Sequence, residues 1–170
     1  IFYREIIEVA TFRASDESTG NIVTNDQGMV IRDNVFGTLE DDAWRRDFTV
    51  NSLYYNVLDA SIVDYTGGFK DIHAQTLNMI GVPQTRYQED PVRMLRAVRF
   101  SAKLNFEIAA KTAEPIISLA PLLANISNSR LFDEMTKIFQ CGASLKACVL
   151  LEEYELFEQL FPLVIYSRQF

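Results

Sequence analysis

Hydrophobic positions change their rhythm along this chain. Near the start, Ile6 to Phe12 (IIEVATF) is rich in β-branched residues and bounded by charge, which predicts a strand. Alternation on a strand puts Glu8 on one face with Ile6, Ala10 and Phe12. From Arg13 to Asn34 the apolar positions thin out among Ser, Thr, Asn, Asp and Gly, the text of a long loop with room for a short strand over 28–32. Thr38 followed by Glu40, Asp41 and Asp42 places an N-cap before three acids, so a helix is expected from about Glu40 to Trp44. Asn51 to Leu58 (NSLYYNVL) continues either as helix or as strand, with helix favoured, into a short strand at Ile62–Asp64. Tyr65-Thr66-Gly67-Gly68 then makes a glycine turn, and the next element begins at Phe69.

Past Gly81 a helical spacing takes over. Asp90 stands as N-cap before Pro91 at a first helical position, and a helix runs to about Leu104. Further helices are expected at about 111–123, 128–142, 144–152 and 154–160. In the first of these helices, at about 100° per residue, Arg93, Arg96, Arg99 and Lys103 share an arc of roughly 120° that also holds Phe100. Met94, Leu95, Ala97, Val98 and Ala102, with Ser101 among them, take the opposite side. The fold class is therefore α+β: a mixed sheet-and-helix unit over residues 1–80, then an all-helical unit over 81–170.

Composition narrows this picture. The chain has 170 residues, 48% hydrophobic and 23% charged, enough for one sizeable core or two small units sharing a surface. It begins at Ile1 with strand-like text already under way, which reads as a piece of a longer protein. Its net charge of −7 argues against a general RNA binder, because displacing counterions from phosphate needs cationic surface. A small basic nucleotide pocket inside an acidic shell is compatible with it. Cys141 and Cys148 read as buried thiols in a reducing compartment, and one His without a CxxC pair leaves no zinc site. No apolar run approaches the roughly 18 residues that span a bilayer, and no secretory signal is visible, so a soluble cytoplasmic protein is expected.

Two segments carry chemistry. Arginines at every third position of a helix can grip a triphosphate, since each guanidinium offers a fork of donors; a solvated amphipathic helix would show a similar arc. In Arg45-Arg46-Asp47-Phe48-Thr49-Val50-Asn51, a helix would set Asp47 and Asn51 side by side. A carboxylate beside a carboxamide can address a sugar hydroxyl, a base edge or a metal-bound water. Equally, Asp47 can cap a helix while Arg46 pairs with Glu40 or Asp42.

At these segments the chain resembles a known family. RRDFTVNSLYYN is similar to the RRDFT-I-N motif of the bacterial poly(A) polymerase and CCA-adding (class II) nucleotidyltransferases. EDPVRMLRAVRFSAKL resembles that family's EDPxRxLRxxRFaaKL helix, and Asp64-Tyr65-Thr66-Gly67-Gly68-Phe69-Lys70-Asp71 resembles its D-x-x-GG-x-x-D turn between the two. IIEVATFR resembles a strand crossing the palm of the catalytic head, and PLLANISNSRLFDEM continues the likeness more weakly.

The resemblance implies the C-terminal part of a palm-type head over 1–80, followed by an all-helical neck and the start of a body over 81–170 that binds nucleotide and RNA. It implies template-independent transfer of AMP from ATP to an RNA 3′ end, with magnesium ions. Arg46, Arg93, Arg96 and Arg99 match positions that hold the incoming nucleotide, with Asn51 in the same motif. Asp90 and Arg93 match positions that read the base edge, and Asp47 matches an active-site acid. Glu8 is the candidate for a further catalytic, metal-side carboxylate. The family's GGxxRD loop and DxD pair do not occur in this chain, so the chain alone is expected to be inert. Ser52-Leu53-Tyr54-Tyr55 and Arg-Leu-Phe-Asp-Glu at 130–134 favour the poly(A) branch over CCA addition. An alternative of another class is a non-catalytic module that binds RNA or nucleotide.

Overall fold

The computed structural model describes residues 7–14, 23–24, 30–32 and 36–162. Two short strands, β1 (Val23–Thr24) and β2 (Val30–Arg32), pair antiparallel within the stretch expected to be a loop. Helix α1 (Leu39–Trp44) begins where anticipated, and Thr38 and Asp41 close a reciprocal capping box on its first turn. After a 3-10 turn at Thr49–Asn51 comes an antiparallel hairpin of β3 (Tyr54–Asn56) and β4 (Ser61–Val63), with Tyr55 opposite Ile62. Helix α2 (Gly68–His73) leads to β5 (Thr76–Leu77).

Helices α3 (Pro83–Glu89) and α4 (Val92–Leu104) form a crossover that returns the chain to β6 (Glu107–Ile108), which pairs parallel with β5. The rest of the described chain is helical: α5 (Ala110–Ala113), α6 (Ile116–Leu119), a 3-10 segment (Ala120–Asn125), α7 (Asn128–Phe139), α8 (Ser144–Glu153) and α9 (Leu156–Leu160). The class is α+β, as read from the sequence.

The core is organised around α4. Met94, Leu95, Ala97, Val98 and Ala102 are buried in one cluster with Phe48, Leu77, Tyr87, Ile116, Leu123, Ile138, Ala147, Leu151 and Leu156. Each fully buried Leu, Val or Met stabilises the fold by about 1.5–3 kcal/mol relative to exposure, so this face alone commits α4 to its place. The helix ends at Asn105, whose φ of 57° is left-handed, while the Ser101 hydroxyl donates to the Phe106 carbonyl at 2.6 Å. The apolar side expected of this helix is therefore buried, while its arginine arc is partly exposed and contributes Phe100 to the edge of the core.

Four expectations are corrected. Residues 7–12 form no strand; the described part makes only a bridge between Arg13 and Phe36 and one bond from Gly37 N–H to the Phe12 carbonyl, too little ladder to hold a strand. Ile6 lies outside the described residues. Of the two readings of Asn51–Leu58 the favoured helix does not hold past the 3-10 turn and the strand does, because the Asn56 and Asp59 side chains accept from the N–H groups of Leu58 and Ser61 and turn the chain into a hairpin. The expected helix over 111–123 is broken at Pro115, which has no N–H to donate and instead caps α6. Finally, α4 begins at Val92, with Pro91 as its cap residue and the Asp90 carboxylate accepting from Val92 N–H at 3.3 Å. Cys141 and Cys148 are half-buried free thiols. Among the described residues no helix is long and apolar enough to cross a membrane.

The glycine turn works as a buttress. Asp64 gathers four backbone N–H groups, those of Thr66, Gly67 and Gly68 on Oδ1 and that of Phe69 on Oδ2, at 2.9–3.1 Å. Burial acts to raise its pKa, but these bonds outweigh burial and hold the carboxyl below its ordinary value. Gly67 has φ of 84°, and a Cβ on Gly68 would lie 2.1 Å from the Thr49 carbonyl oxygen. Gly68→Ala is thus expected to cost about 2 kcal/mol or more through overpacking against backbone, and Gly67→Ala about 1 kcal/mol through left-handed strain; urea denaturation of the two variants checks the order. Asp64 contributes stability that is present above the unfolded pKa of about 3.9 and is lost as pH falls through its lower folded value. Asp64→Asn should flatten the acid limb of a thermal-stability profile below about pH 4, and an unchanged limb would contradict this assignment.

Candidate functional site

The site is built on the turn after α1. Phe48 is fully buried and meets the Phe100 ring edge-on at 5.8 Å, so it pins the turn to α4. The neighbouring backbone is held by residues 78–80: Thr49 N–H donates to the Asn78 carbonyl at 3.0 Å, and Ile80 N–H to the Asp47 carbonyl at 2.9 Å. Thr49 is further fixed by its hydroxyl, which donates to Asp71 at 2.6 Å, so both acids of the D-x-x-GG-x-x-D turn support this segment.

Asp47, 6% exposed, is held against α4. Its Oδ1 accepts from Arg93 Nε at 2.9 Å and its Oδ2 pairs with Arg96 Nη1 at 2.7 Å. Residues three apart on a helix are neighbours on one face, which lets a single carboxylate reach both guanidiniums. One negative charge thereby answers two positive ones. Glu89 supplies a second, accepting from Arg93 Nη1 at 3.0 Å and from Arg86 Nη1 at 3.1 Å. Arg86 also donates through Nη2 to the carbonyls of Arg45 and Arg46 at 2.9 and 3.0 Å, tying α3 to the turn. Burial, together with the charge of Arg93, weakens Arg86's hold on its proton.

The arginine row is not uniform. Arg93, with its side chain 14% exposed, spends its donors on Asp47, Glu89 and the Arg86 carbonyl. Arg99, with its side chain 13% exposed, pairs with buried Glu134 and lies over the Phe100 ring at 4.3 Å. Arg96 is the most open of the three at 34% exposed, and its buried Nε has no hydrogen-bond partner among the described residues. An unsatisfied buried donor costs roughly 1–3 kcal/mol, so a shift of the side chain that opened this N–H to a ligand oxygen would be favoured. Arg96 and Arg99 form one wall of a cleft of about 250 Å³, whose other wall is Arg130, Asp133, Glu134 and Lys137 of α7.

The remaining candidates fall as follows. Arg46 lies on Asp42, with its Nη2 at 2.7 Å from Oδ2, as one of the two sequence readings had it. Asp90 pairs with Arg130 across the α4–α7 gap at 2.8 Å. Asn51 does not share a helix face with Asp47, a correction that follows from the 3-10 turn between them; its side-chain carbonyl accepts from Phe48 N–H at 3.2 Å. Glu8 is exposed and stands in no strand, so the alternation that aimed it at the site is not reproduced. Among the described residues no group of three or more His, Cys, Asp or Glu side chains could hold a metal ion. With both Asp47 oxygens engaged by arginines and Glu8 facing solvent, these residues do not fit a magnesium pair.

Sequence reasoning passed over Glu89, Arg86 and Glu134. Glu89 had a readable signal, four residues before Arg93, although it ends α3 while Arg93 lies in α4. The bonds from Arg86 to two carbonyls some 40 residues away, and from Arg99 to Glu134, leave no trace in local spacing.

Comparisons with known proteins bear on the family of this chain. Residues 1–78 match the family model described as "Poly A polymerase head domain", and residues 105–166 match "Probable RNA and SrmB- binding site of polymerase A". The chain is 54% identical over 165 residues to poly(A) polymerase I of Haemophilus influenzae and 53% identical over 168 residues to that of Escherichia coli O157:H7, covering 95% and 96% of this chain and 36% of each relative. It is 36% identical over 156 residues to the CCA-adding enzyme of Bacillus subtilis, covering 92% of this chain and 38% of that protein. Among solved structures, the Bacillus stearothermophilus CCA-adding enzyme in complex with CTP superposes with a TM-score of 0.67 at 38% identity, over 72% of this chain and 31% of that one. A tRNA nucleotidyltransferase complexed with a primer tRNA and an incoming ATP analog superposes with a TM-score of 0.68 at 29% identity, over 75% of this chain and 38% of that one. The chain thus spans about a third of the length of the curated relatives it matches.

Removing Asp47 would leave two guanidiniums facing each other without their shared anion. Asp47→Ala is expected to cost about 3 kcal/mol, near the lower end for breaking a buried pair because Arg96 is partly solvated. Chemical denaturation measures this, and a loss under about 1 kcal/mol, typical of surface pairs, would show that the fork does not organise the fold.

Proposed function

The chain belongs to the poly(A) polymerase and CCA-adding family of nucleotidyltransferases, and we propose that it supplies the ATP-gripping part of a poly(A) polymerase. In this reading residues 1–80 belong to the catalytic head and 81–170 to a helical neck and body, acting on RNA 3′ ends in the cytoplasm. The observation that carries it is Arg96: fixed through one nitrogen by buried Asp47, half-open at the mouth of a cleft, and holding an unsatisfied N–H.

The reaction is attack of an RNA 3′-oxygen on the α-phosphorus of ATP. A phosphodiester bond forms, the bond to the β-phosphate breaks, and pyrophosphate leaves as the 3′-hydroxyl gives up its proton. Magnesium, as family members use it, would hold the phosphates and activate that oxygen; Asp47, taken up by two arginines, and solvent-facing Glu8 do not fit it. What this chain's residues do is bind and orient. Arg96 and the half-exposed Arg46 neutralise charge on the triphosphate, pre-set by Asp47 and Asp42 so that little side-chain freedom is lost on binding. Arg93 and Arg99, with their donors engaged inside the protein, act as struts that keep α4 in register. Asp90, held by Arg130 near the start of α4, is the candidate to meet the base edge. The helical region over 105–166 is the candidate to meet RNA. The poly(A) branch is favoured over CCA addition by identities of 53–54% to poly(A) polymerases against 36% to a CCA-adding enzyme.

In a protein of the relatives' full length, Arg96→Ala should weaken ATP binding about tenfold or more, the size expected for losing a charge-assisted phosphate contact, while Lys111→Ala on the exposed face of α5 should not. Product analysis with the same protein should show long A tails on generic RNA. Addition that stops at CCA on tRNA would move the assignment to the other branch, and ATP affinity unchanged by Arg96→Ala would withdraw Arg96 from the site.

A further inference from the structure

Asp42 is a buried acid that the proposed reaction does not use, and the structure spends an unusual number of donors on it. It is 3% exposed. Its Oδ1 accepts from Arg13 N–H at 3.2 Å and pairs with Arg45 Nη1 at 3.6 Å. Its Oδ2 accepts from Arg46 Nε at 3.1 Å, from Arg46 Nη2 at 2.7 Å and from the Tyr54 hydroxyl at 2.5 Å. These donors come from three separate stretches of chain: the segment before β1, the end of α1, and β3. Burial acts to raise the Asp42 pKa, but the bonds from Tyr54, Arg46 and Arg13 outweigh it and keep the group ionised. Burial and the bond to Asp42 push the Tyr54 phenol up, so it remains a donor.

The pair is asymmetric. The anion is buried while the Arg46 side chain is 46% exposed. One edge of the guanidinium, Nε and Nη2, is locked on Asp42, and its carbon stands 5.9 Å from the Tyr54 ring centre. Tyr54 is in turn braced by the edge of Phe12 at 6.0 Å. Two directions of the guanidinium are thereby set, and the side chain is left half-open to solvent. That is the arrangement expected where a flexible cation must meet an anion in one orientation, because the side-chain freedom is surrendered before the ligand arrives.

We propose that Asp42 and Tyr54 are positioning residues that pre-orient Arg46 toward the polyphosphate of an incoming nucleoside triphosphate. This rests on Arg46 being a nucleotide-binding residue, as read under Proposed function. Neither Asp42 nor Tyr54 touches the substrate; both act through Arg46.

The test is a double-mutant cycle on ATP affinity in a protein of the relatives' length, with unfolding midpoints measured alongside. Asp42→Asn keeps the shape and removes the charge, and Tyr54→Phe removes only the hydroxyl. Each is expected to raise the Kd for ATP about fivefold, and neither should raise it further in an Arg46→Ala background. An equal loss in that background would show that the two residues act through the fold at large and would overturn the proposal. So would wild-type affinity in both single variants when Arg46→Ala itself binds weakly. If Asp42→Asn does not fold, Tyr54→Phe carries the same comparison alone. An Arg46→Ala protein that binds ATP normally fails the reading of Arg46 itself, an outcome distinct from the other two, and takes the positioning role with it.

Discussion

One buried carboxylate sets the terms for the rest of this structure. Asp47 meets Arg93 and Arg96 at once, and its position is constrained in both directions. Moved outward, it would leave guanidiniums unpaired in a poorly solvated cleft; moved inward, it would enter the apolar packing of Phe48, Met94 and Val98. Much of the surrounding architecture reduces to keeping this turn still. Residues 78–80 clamp its backbone, Phe48 anchors it in the core, and Arg86 caps the two carbonyls before it.

The glycine-rich turn belongs to the same device at one remove. Asp64 organises four amides, Gly68 lets the start of α2 press against the Thr49 carbonyl, and Asp71 takes the Thr49 hydroxyl. On the other side, the parallel pairing of β5 and β6 closes the crossover that contains α3 and α4, so the helix bearing the arginines is held at both ends. The consequence for function is preorganisation. In the proposed function, the charges that would meet a triphosphate are carried on a helix with a committed apolar face, and the acids that restrain them sit inside the protein.

Much of this was legible in the residues. The division of α4 into apolar and basic sides follows from spacing alone, as does α1 from Thr38 and the acids behind it. The three motifs marked the family before any fold was known. What stayed hidden is tertiary. Asp47 and Asn51 look like helical neighbours until Phe48 is drawn into the core and the backbone tightens to a 3-10 turn. NSLYYNVL has a helix-like apolar content, but Asn56 and Asp59 bond to nearby backbone and fold it into a hairpin. The three arginines look equivalent by periodicity; only their partners Glu89, Glu134 and Asp47 tell them apart, and two of those partners lie more than 30 residues away in sequence.

The central claim is that Arg96 is the open hand of this network and Arg93 its fixed wrist. The arginine Nε–H resonances, followed by NMR as ATP is titrated into a protein of the relatives' length, test it directly. The account expects the Arg96 signal to shift and sharpen with saturation, because its Nε gains a partner, while the Arg93 signal, already bonded to Asp47, stays in place. A shift confined to Arg93, with Arg96 unmoved at saturating ATP, would contradict it.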